Sequence, residues 1–296
     1  MVGGEILNMN NNLRISTIVY RSLENVMNKL GDIRGNDKLQ PMVTLSFDDG
    51  YTSDHSIVMP VFEELGLRGT FFVISDNIGK SRFMTEEQVI DVSRFNEIGS
   101  HTKTHPVLTE LTDEEIRIEL SESKLAIQDV IGKEVTTLCY PYGNNNQRIT
   151  NLVSGYYDGA RAITKNAVDP ELNPDSNRGN QGTYSPYSGR LEQVTVYGTK
   201  TKEAILAKSA DPLHFQDWKN IIDDFLSLDE PAWYVFMFHE VYEDDDSDKP
   251  ENRMNKSLFK QCMEYLNEKK RDKELDVVTF KEGLQRINNA QSVHLK

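Results

Sequence analysis

The chain has 296 residues, a formal net charge of −14 at pH 7 and two cysteines. Its length suits one large α/β domain or two small ones. The acidic balance argues against a nucleic-acid partner or an anionic membrane, because phosphate binding requires clustered Lys and Arg, and two cysteines make neither a disulfide framework nor a zinc–thiolate pattern.

The first 40 residues carry a predicted helix over 16–30 and a polar linker over 31–38. We interpret them as an N-terminal extension rather than a separate domain. No stretch of the sequence has the length and hydropathy of a membrane span. Residues 1–5 lack the basic and apolar regions of a signal peptide.

From Pro41 onward, predicted strands and helices alternate. Strands are predicted over 42–47, 68–74, 97–100, 136–140, 160–164, 194–197, 233–238 and 275–279, and helices after Thr85 and over 112–132, 215–226 and 255–270. Residues 168–190 are rich in Pro, Asn, Gly and Ser, which predicts a long irregular loop of the kind that often lines a binding site. Repeated strand–helix units indicate a TIM-like barrel, whose active sites lie at the C-terminal ends of the strands.

Two adjacent carboxylates, Asp48 and Asp49, close the first predicted strand before a turn at Gly50. Neighbouring side chains on a strand point to opposite faces, so the two carboxylates cannot serve one metal ion in the same way. One can bind the ion while the other reaches the water that the ion activates. An Asp-Asp-Gly run by itself is more often a solvated turn.

His101 and His105 follow the third predicted strand. Two imidazoles and one Asp oxygen suit zinc or another divalent first-row metal, and they leave positions open for water and substrate. A His-x-x-x-His pair is common by chance, and Pro106 argues against a continuing helix here. Both motifs nevertheless stand at strand ends, which favours a metal site for hydrolysis.

Four short motifs, in this order and spacing, resemble those of the polysaccharide deacetylases, the family-four carbohydrate esterases that share the NodB-homology domain. They are Ser46–Gly50, Ser100–Pro106, Tyr140–Gly143 and Phe238–His239. The resemblance covers about 41–288, which we interpret as the catalytic barrel, followed by a tail over 289–296. The expected fold is α/β, a distorted TIM-like (β/α) barrel of about seven strands.

The resemblance implies a role for each motif residue. Asp49, His101 and His105 would hold one divalent ion, zinc first, with cobalt, nickel or iron as alternatives. Asp48 would be the general base and His239 the general acid that protonates the departing amine.

The third motif implies a backbone contribution. The Tyr142 N–H would stabilise the oxyanion, and Pro141 and Tyr142 would contact the substrate. The alternative for Tyr142 is a plain packing aromatic.

Two departures from the family pattern affect the site. The Arg that opens the third motif and contacts the base is replaced by Cys139, which we interpret as a buried structural thiol. Arg161, on the following strand, is the candidate replacement for that guanidinium. The Asp-x-x-Asp-Trp segment that orients the acid His is matched only at its end, by Asp217 and Trp218.

His239 and Glu240 would also suit the beginning of a zincin helix. That motif requires a second His at position 243, where the sequence has Glu243. The zincin reading is therefore excluded.

The expected activity is removal of acetyl groups from N-acetylglucosamine units of chitin, poly-N-acetylglucosamine or peptidoglycan. Two alternatives stay open: an O-acetyl xylan esterase that uses the same site, and a catalytically silent glycan-binding barrel. The expected partner is an acetylated polysaccharide or oligosaccharide, with no nucleic acid and no membrane span. Because enzymes of the family mostly act outside the cytoplasm, the resemblance favours an extracellular or cell-envelope location.

Overall fold

The computed structural model of the chain describes residues 40–163, 205–209, 214–227, 233–246 and 254–292. The helix predicted over 16–30, the loop predicted over 168–190 and the strand predicted over 194–197 lie outside these residues. The division into extension, barrel and tail therefore stays a prediction.

The described residues contain eight strands and seven α-helices. The strands are β1 (Met42–Asp49), β2 (Thr70–Val73), β3 (Glu97–Ser100), β4 (Thr137–Cys139), β5 (Gly159–Ile163), β6 (Ile205–Ser209), β7 (Trp233–Phe238) and β8 (Asp276–Val277). The helices are α1 (Met59–Leu65), α2 (Glu86–Val92), α3 (Asp113–Ile131), α4 (Gln147–Val153), α5 (Phe215–Leu226), α6 (Lys256–Arg271) and α7 (Phe280–Ser292).

The first seven strands form a closed ring in which every pairing is parallel. Each strand pairs with the next along the chain, and β7 pairs with β1. β2 pairs with the end of β1, whereas the two-residue β8 pairs with Met42 and Val43 at its beginning. The predicted distorted (β/α) barrel of about seven strands is confirmed, with β8 as a short addition at one edge.

Capping residues fix the ends of the helices as the sequence predicts. Thr85 begins α2 and Thr112 begins α3, each in a capping box with the residue three positions later. Gly132 ends α3 in a left-handed conformation, with φ of 65°, where glycine has no steric penalty.

Strand β1 separates two apolar cores. Phe47 stacks on Phe71 of β2 and Phe238 of β7, with ring centroids 4.9 and 5.0 Å apart, in the core between sheet and helices. Met42, which alternation puts on the other face of β1, belongs to the cluster inside the barrel. Because side chains alternate along a strand, Asp48 shares the face of Met42 and points into the barrel.

Helix α7 closes the N-terminal end of the barrel. Backbone N–H groups at its beginning donate to the side chains of Thr70 and Glu97, the first residues of β2 and β3, at 2.8 Å each. Gly283 lies against Trp233, the first residue of β7, so closely that a Cβ would stand 2.3 Å from the indole ring. The opposite end, where the strands finish, carries the predicted site. In the part of the chain described, no helix has the length and apolar character needed to cross a membrane.

Candidate active site

The residues predicted for the site come together at the C-terminal end of the barrel. Asp48 and Asp49 end β1, and His101 follows β3 directly. The other members follow β3, β4 and β7 or lie within β5: His105, Pro141, Tyr142, His239 and Arg161.

Asp49, His101 and His105 bring three possible ligand atoms close together. The two Nε2 atoms lie 3.5 and 3.6 Å from Asp49 Oδ1 and 3.2 Å from each other. A tetrahedral zinc ion with bonds of about 2.0–2.2 Å holds its ligands about 3.3–3.6 Å apart. The spacing of these three atoms therefore fits a single such ion.

The orientation of His101 suits metal binding through Nε2. Its Nδ1 lies 2.9 Å from the carbonyl oxygen of Cys139, and a proton on Nδ1 leaves the Nε2 lone pair directed at the donor group. His105 is half-buried; burial and the neighbouring His101 lower its pKa to about 4. The His105 imidazole can therefore offer a lone pair to an ion near pH 7.

Unusual backbone conformations concentrate in the motifs. Among the described residues, positive φ angles of non-glycine residues include 77° at Asp49, 65° at Thr102, 62° at His105 and 58° at Tyr142. Such conformations cost energy and tend to persist where function requires them. At Asp49 the left-handed backbone ends the regular alternation of β1, and its carboxylate lies with the two histidines rather than with the outer core.

Asp48 is buried and forms an ion pair with the buried Arg161. Burial raises the pKa of the Asp48 carboxyl, but Arg161, His101 and His239 lower it by more, so the pKa lies below its usual range. Arg161 can reach Asp48 because it is the register partner of Cys139 in the β4–β5 pairing. Residues paired across neighbouring strands share a face, so Arg161 extends beside Cys139 into the barrel, with its Nη2 2.7 Å from Sγ.

A second group of possible ligand atoms comes from Asp48, His101 and Cys139. The Arg161 guanidinium already neutralises Asp48 and lies against the sulfur, and its charge repels a cation there. Burial also raises the pKa of the Cys139 thiol well above its usual value, so the thiolate that a metal needs is disfavoured. The group around Asp49 is thus the better metal site, and Cys139 is a buried free thiol as predicted.

His239 and Tyr142 lie beside the proposed metal ligands, on the side that is open to solvent. The half-buried His239 is close enough for its charge to affect the pKa of both Asp48 and His105. The Tyr142 ring meets the His105 ring edge-on, with centroids 4.6 Å apart, and the residue is 50% exposed. Half-exposure argues against the alternative that Tyr142 is a plain packing aromatic.

The partial match at Asp217 and Trp218 lies in the first turn of α5. Trp218 is fully buried and stacks on Phe236, with centroids 5.0 Å apart, whereas Asp217 is exposed. In the described structure, Trp218 acts as a core residue.

Sequence reasoning missed two residues that contact the motifs. The Tyr51 hydroxyl hydrogen-bonds to Asp49, and burial together with that carboxylate raises the pKa of Tyr51. Glu119 accepts hydrogen bonds from the backbone between His101 and His105. Its signal in the sequence is an acidic residue on the face of α3 that is otherwise buried and mostly apolar.

Comparison with known proteins gives a consistent picture. Residues 35–156 match the family model described as polysaccharide deacetylase. YxkH of Bacillus subtilis strain 168, named as a candidate polysaccharide deacetylase, is 33% identical over 120 residues, which cover 40% of this chain and 43% of that protein. Chitin deacetylase 1 of Cryptococcus neoformans var. grubii is 32% identical over 137 residues, covering 42% and 28%.

A third relative is the peptidoglycan-N-acetylglucosamine deacetylase PgdA of Listeria monocytogenes serotype 1/2a. It is 26% identical over 117 residues, which cover 39% of this chain and 24% of that protein. The chain thus spans less than half the length of each of these curated relatives. Residues 35–156 contain three of the four motifs, and this part of the chain is similar to the polysaccharide deacetylase family, the carbohydrate esterases that share the NodB-homology domain.

Proposed function

We propose that this protein is a metal-dependent hydrolase that removes acetyl groups from N-acetylglucosamine units of a polysaccharide. The observation that carries the proposal is the close approach of the Asp49, His101 and His105 ligand atoms, beside the buried pair of Asp48 and Arg161. The three ligand atoms can hold an ion and Asp48 can accept a proton, and metal-assisted hydrolysis requires both.

Asp49, His101 and His105 would hold the divalent ion, with zinc as the first choice and cobalt, nickel or iron as alternatives. A bound ion of this kind supplies a water of lowered pKa and polarises the acetyl carbonyl. Asp48 accepts the proton of the attacking water, because Arg161 keeps its carboxylate ionised and fixed in orientation. The Tyr142 N–H is proposed to donate to the oxyanion, and Pro141 and Tyr142 to contact the sugar.

Replacement of His239 should separate amide from ester chemistry. An amine is a very poor leaving group unless it is protonated, whereas the weakly basic aryloxide of an activated aryl acetate leaves without a proton donor. His239→Ala should therefore lose roughly 10²-fold in kcat on an N-acetyl sugar and much less on an activated aryl acetate. Both rates are measured on zinc-loaded protein, and His55→Ala serves as the matched control, because His55 pairs with Asp91 outside the site. Equal losses on the two substrates would mean that His239 is not the acid.

Replacement of Arg161 should change the pH dependence of the reaction. Without the guanidinium, the pKa of the Asp48 carboxyl rises. The base is active only when ionised, so in Arg161→Met the acidic limb of the pH–rate profile should move to higher pH. The control is the double variant Arg161→Ser with Cys139→Arg. It places a guanidinium on the residue that pairs with position 161 across the sheet, and the acidic limb of its pH–rate profile should return towards the wild-type position. An unmoved limb in Arg161→Met would contradict the role.

The substrate class is proposed from the names of the relatives. The names of the matched proteins specify chitin and peptidoglycan N-acetylglucosamine. We therefore favour an N-acetylglucosamine polymer and, since peptidoglycan lies in the cell envelope, an extracellular or envelope location. The O-acetyl xylan esterase is the second candidate, because the proposed chemistry also cleaves esters.

The function can be tested by acetate release from a panel of glycans. Chitooligosaccharides, poly-N-acetylglucosamine, peptidoglycan and acetylxylan are each incubated with zinc-loaded protein, and Asp49→Asn is the negative control. Acetate from an N-acetylated member supports the proposal, and acetate from acetylxylan alone favours the esterase. Glycan binding without acetate release and without stoichiometric metal would identify a silent barrel.

A further inference from the structure

The segment that joins His101 to His105 has no regular secondary structure, yet a side-chain oxygen accepts each of its backbone N–H groups from 102 to 105. Thr102 N–H donates to Ser100 Oγ, and His105 N–H donates to Thr102 Oγ1, at 3.1 Å each. The N–H groups of residues 103 and 104 both donate to one carboxylate oxygen of Glu119, at 2.9 and 2.8 Å.

Helix α3 supplies both supports. The second carboxylate oxygen of Glu119 accepts from the Thr104 hydroxyl at 2.7 Å. Ser123, one turn further along α3, shares a hydrogen bond of 2.8 Å with Ser100 Oγ. Residues at i and i+4 lie on the same face of a helix, so one strip of α3 contacts residues 103 and 104 directly and supports Thr102 through Ser100.

Folding alone does not call for a carboxylate at this position. Ile116, Leu120 and Ile127 share the buried side of α3, and burying a carboxylate among them is costly unless hydrogen bonds satisfy it. The bonds that satisfy Glu119 all come from the segment between the histidines. Thr102 and His105 in that segment have positive φ, a conformation that persists only when its surroundings fix it.

We propose that Glu119 is a positioning residue that sets His105 relative to His101 before the ion binds. The carboxylate holds the peptide groups at 103 and 104, and these determine where the backbone of His105 leaves the segment. The two Nε2 atoms are thereby held at ligand spacing in the metal-free protein. This inference rests on the proposed metal site and adds a residue that does not touch the ion.

The test measures zinc affinity by calorimetry and amide hydrogen exchange by NMR, both on metal-free protein. Glu119→Ala should bind zinc about 10–100-fold more weakly, the range found when groups that orient metal ligands are removed. Its amides at Lys103 and Thr104 should exchange faster than in the wild type. Glu119→Gln should recover most of the affinity, because its amide oxygen can accept from both N–H groups while its NH₂ faces the Thr104 hydroxyl. If Glu119→Ala does not fold, Glu119→Asp, shorter by one methylene, takes its place.

Two matched controls separate positioning from general stability. Glu122→Ala removes an exposed ion pair from α3 to the Lys103 side chain and should leave zinc affinity unchanged. Ile127→Ala creates a cavity under the same helix and should lower Tm without weakening zinc binding. Wild-type affinity in Glu119→Ala, or an equal loss in Ile127→Ala, would overturn the inference. A wild type that binds no zinc would overturn the proposed function instead, and the exchange rates would still decide whether Glu119 holds the segment.

Discussion

His105→Ala should lose stoichiometric zinc and, with it, deacetylase activity down to the level of the metal-free protein. Asp49, His101 and His105 are the group of ligand atoms that the structure brings together on the half-exposed side of the site. Removing one of three protein ligands leaves an incomplete coordination shell, and metal affinity falls with it. Metal content is measured by mass spectrometry after dialysis, and activity by acetate release.

His55→Ala is the matched control for this prediction. His55 is also half-buried and pairs with a carboxylate, Asp91 at 3.1 Å, but it is not part of the donor group. Its replacement should leave both metal content and activity as in the wild type. Full activity with unchanged metal content in His105→Ala would end the assignment of this ligand.

The parts of the fold that were predictable are those in which local signals agree. Thr112 and Gly132 delimit α3 because a capping box and a left-handed glycine are local features. The third and seventh strands were predicted with their observed bounds. Helices α1, α4 and α7 and strand β6 were not predicted. For α7 the reason is tertiary: it forms where the chain packs across the first residues of β2, β3 and β7.

The residues that form the site could be predicted from the sequence, but the packing contacts that position them could not. Asp48, Asp49 and the histidines were each predicted at the end of a strand, and the C-terminal ends of parallel strands meet at one end of a barrel. The contact of Arg161 with Asp48 was predicted from the family resemblance rather than from a local pattern, because it depends on the register of β5 against β4. The role of Glu119 depends on the packing of α3 beside the segment after β3.

Asp48→Asn should keep the metal and lose turnover by roughly 10²–10⁴-fold, the range for a lost general base. The amide has the shape of the carboxylate, and its oxygen can still accept from Arg161, but it cannot take a proton from the attacking water. The wild-type carboxyl has a lowered pKa, so it is ionised at neutral pH and its loss affects the whole neutral range. Acetate release at pH 7 and metal content are measured on the same sample.

Asp49→Asn is the internal comparison for this variant, because the two residues are adjacent and the change is identical. Asp49 Oδ1 lies 3.5 and 3.6 Å from the two imidazole Nε2 atoms, whereas Asp48 is paired with Arg161. Asp49→Asn should therefore lose metal and activity together, and Asp48→Asn should lose activity alone. A metal-free Asp48→Asn beside a metal-loaded Asp49→Asn would mean that the two carboxylates have the opposite roles.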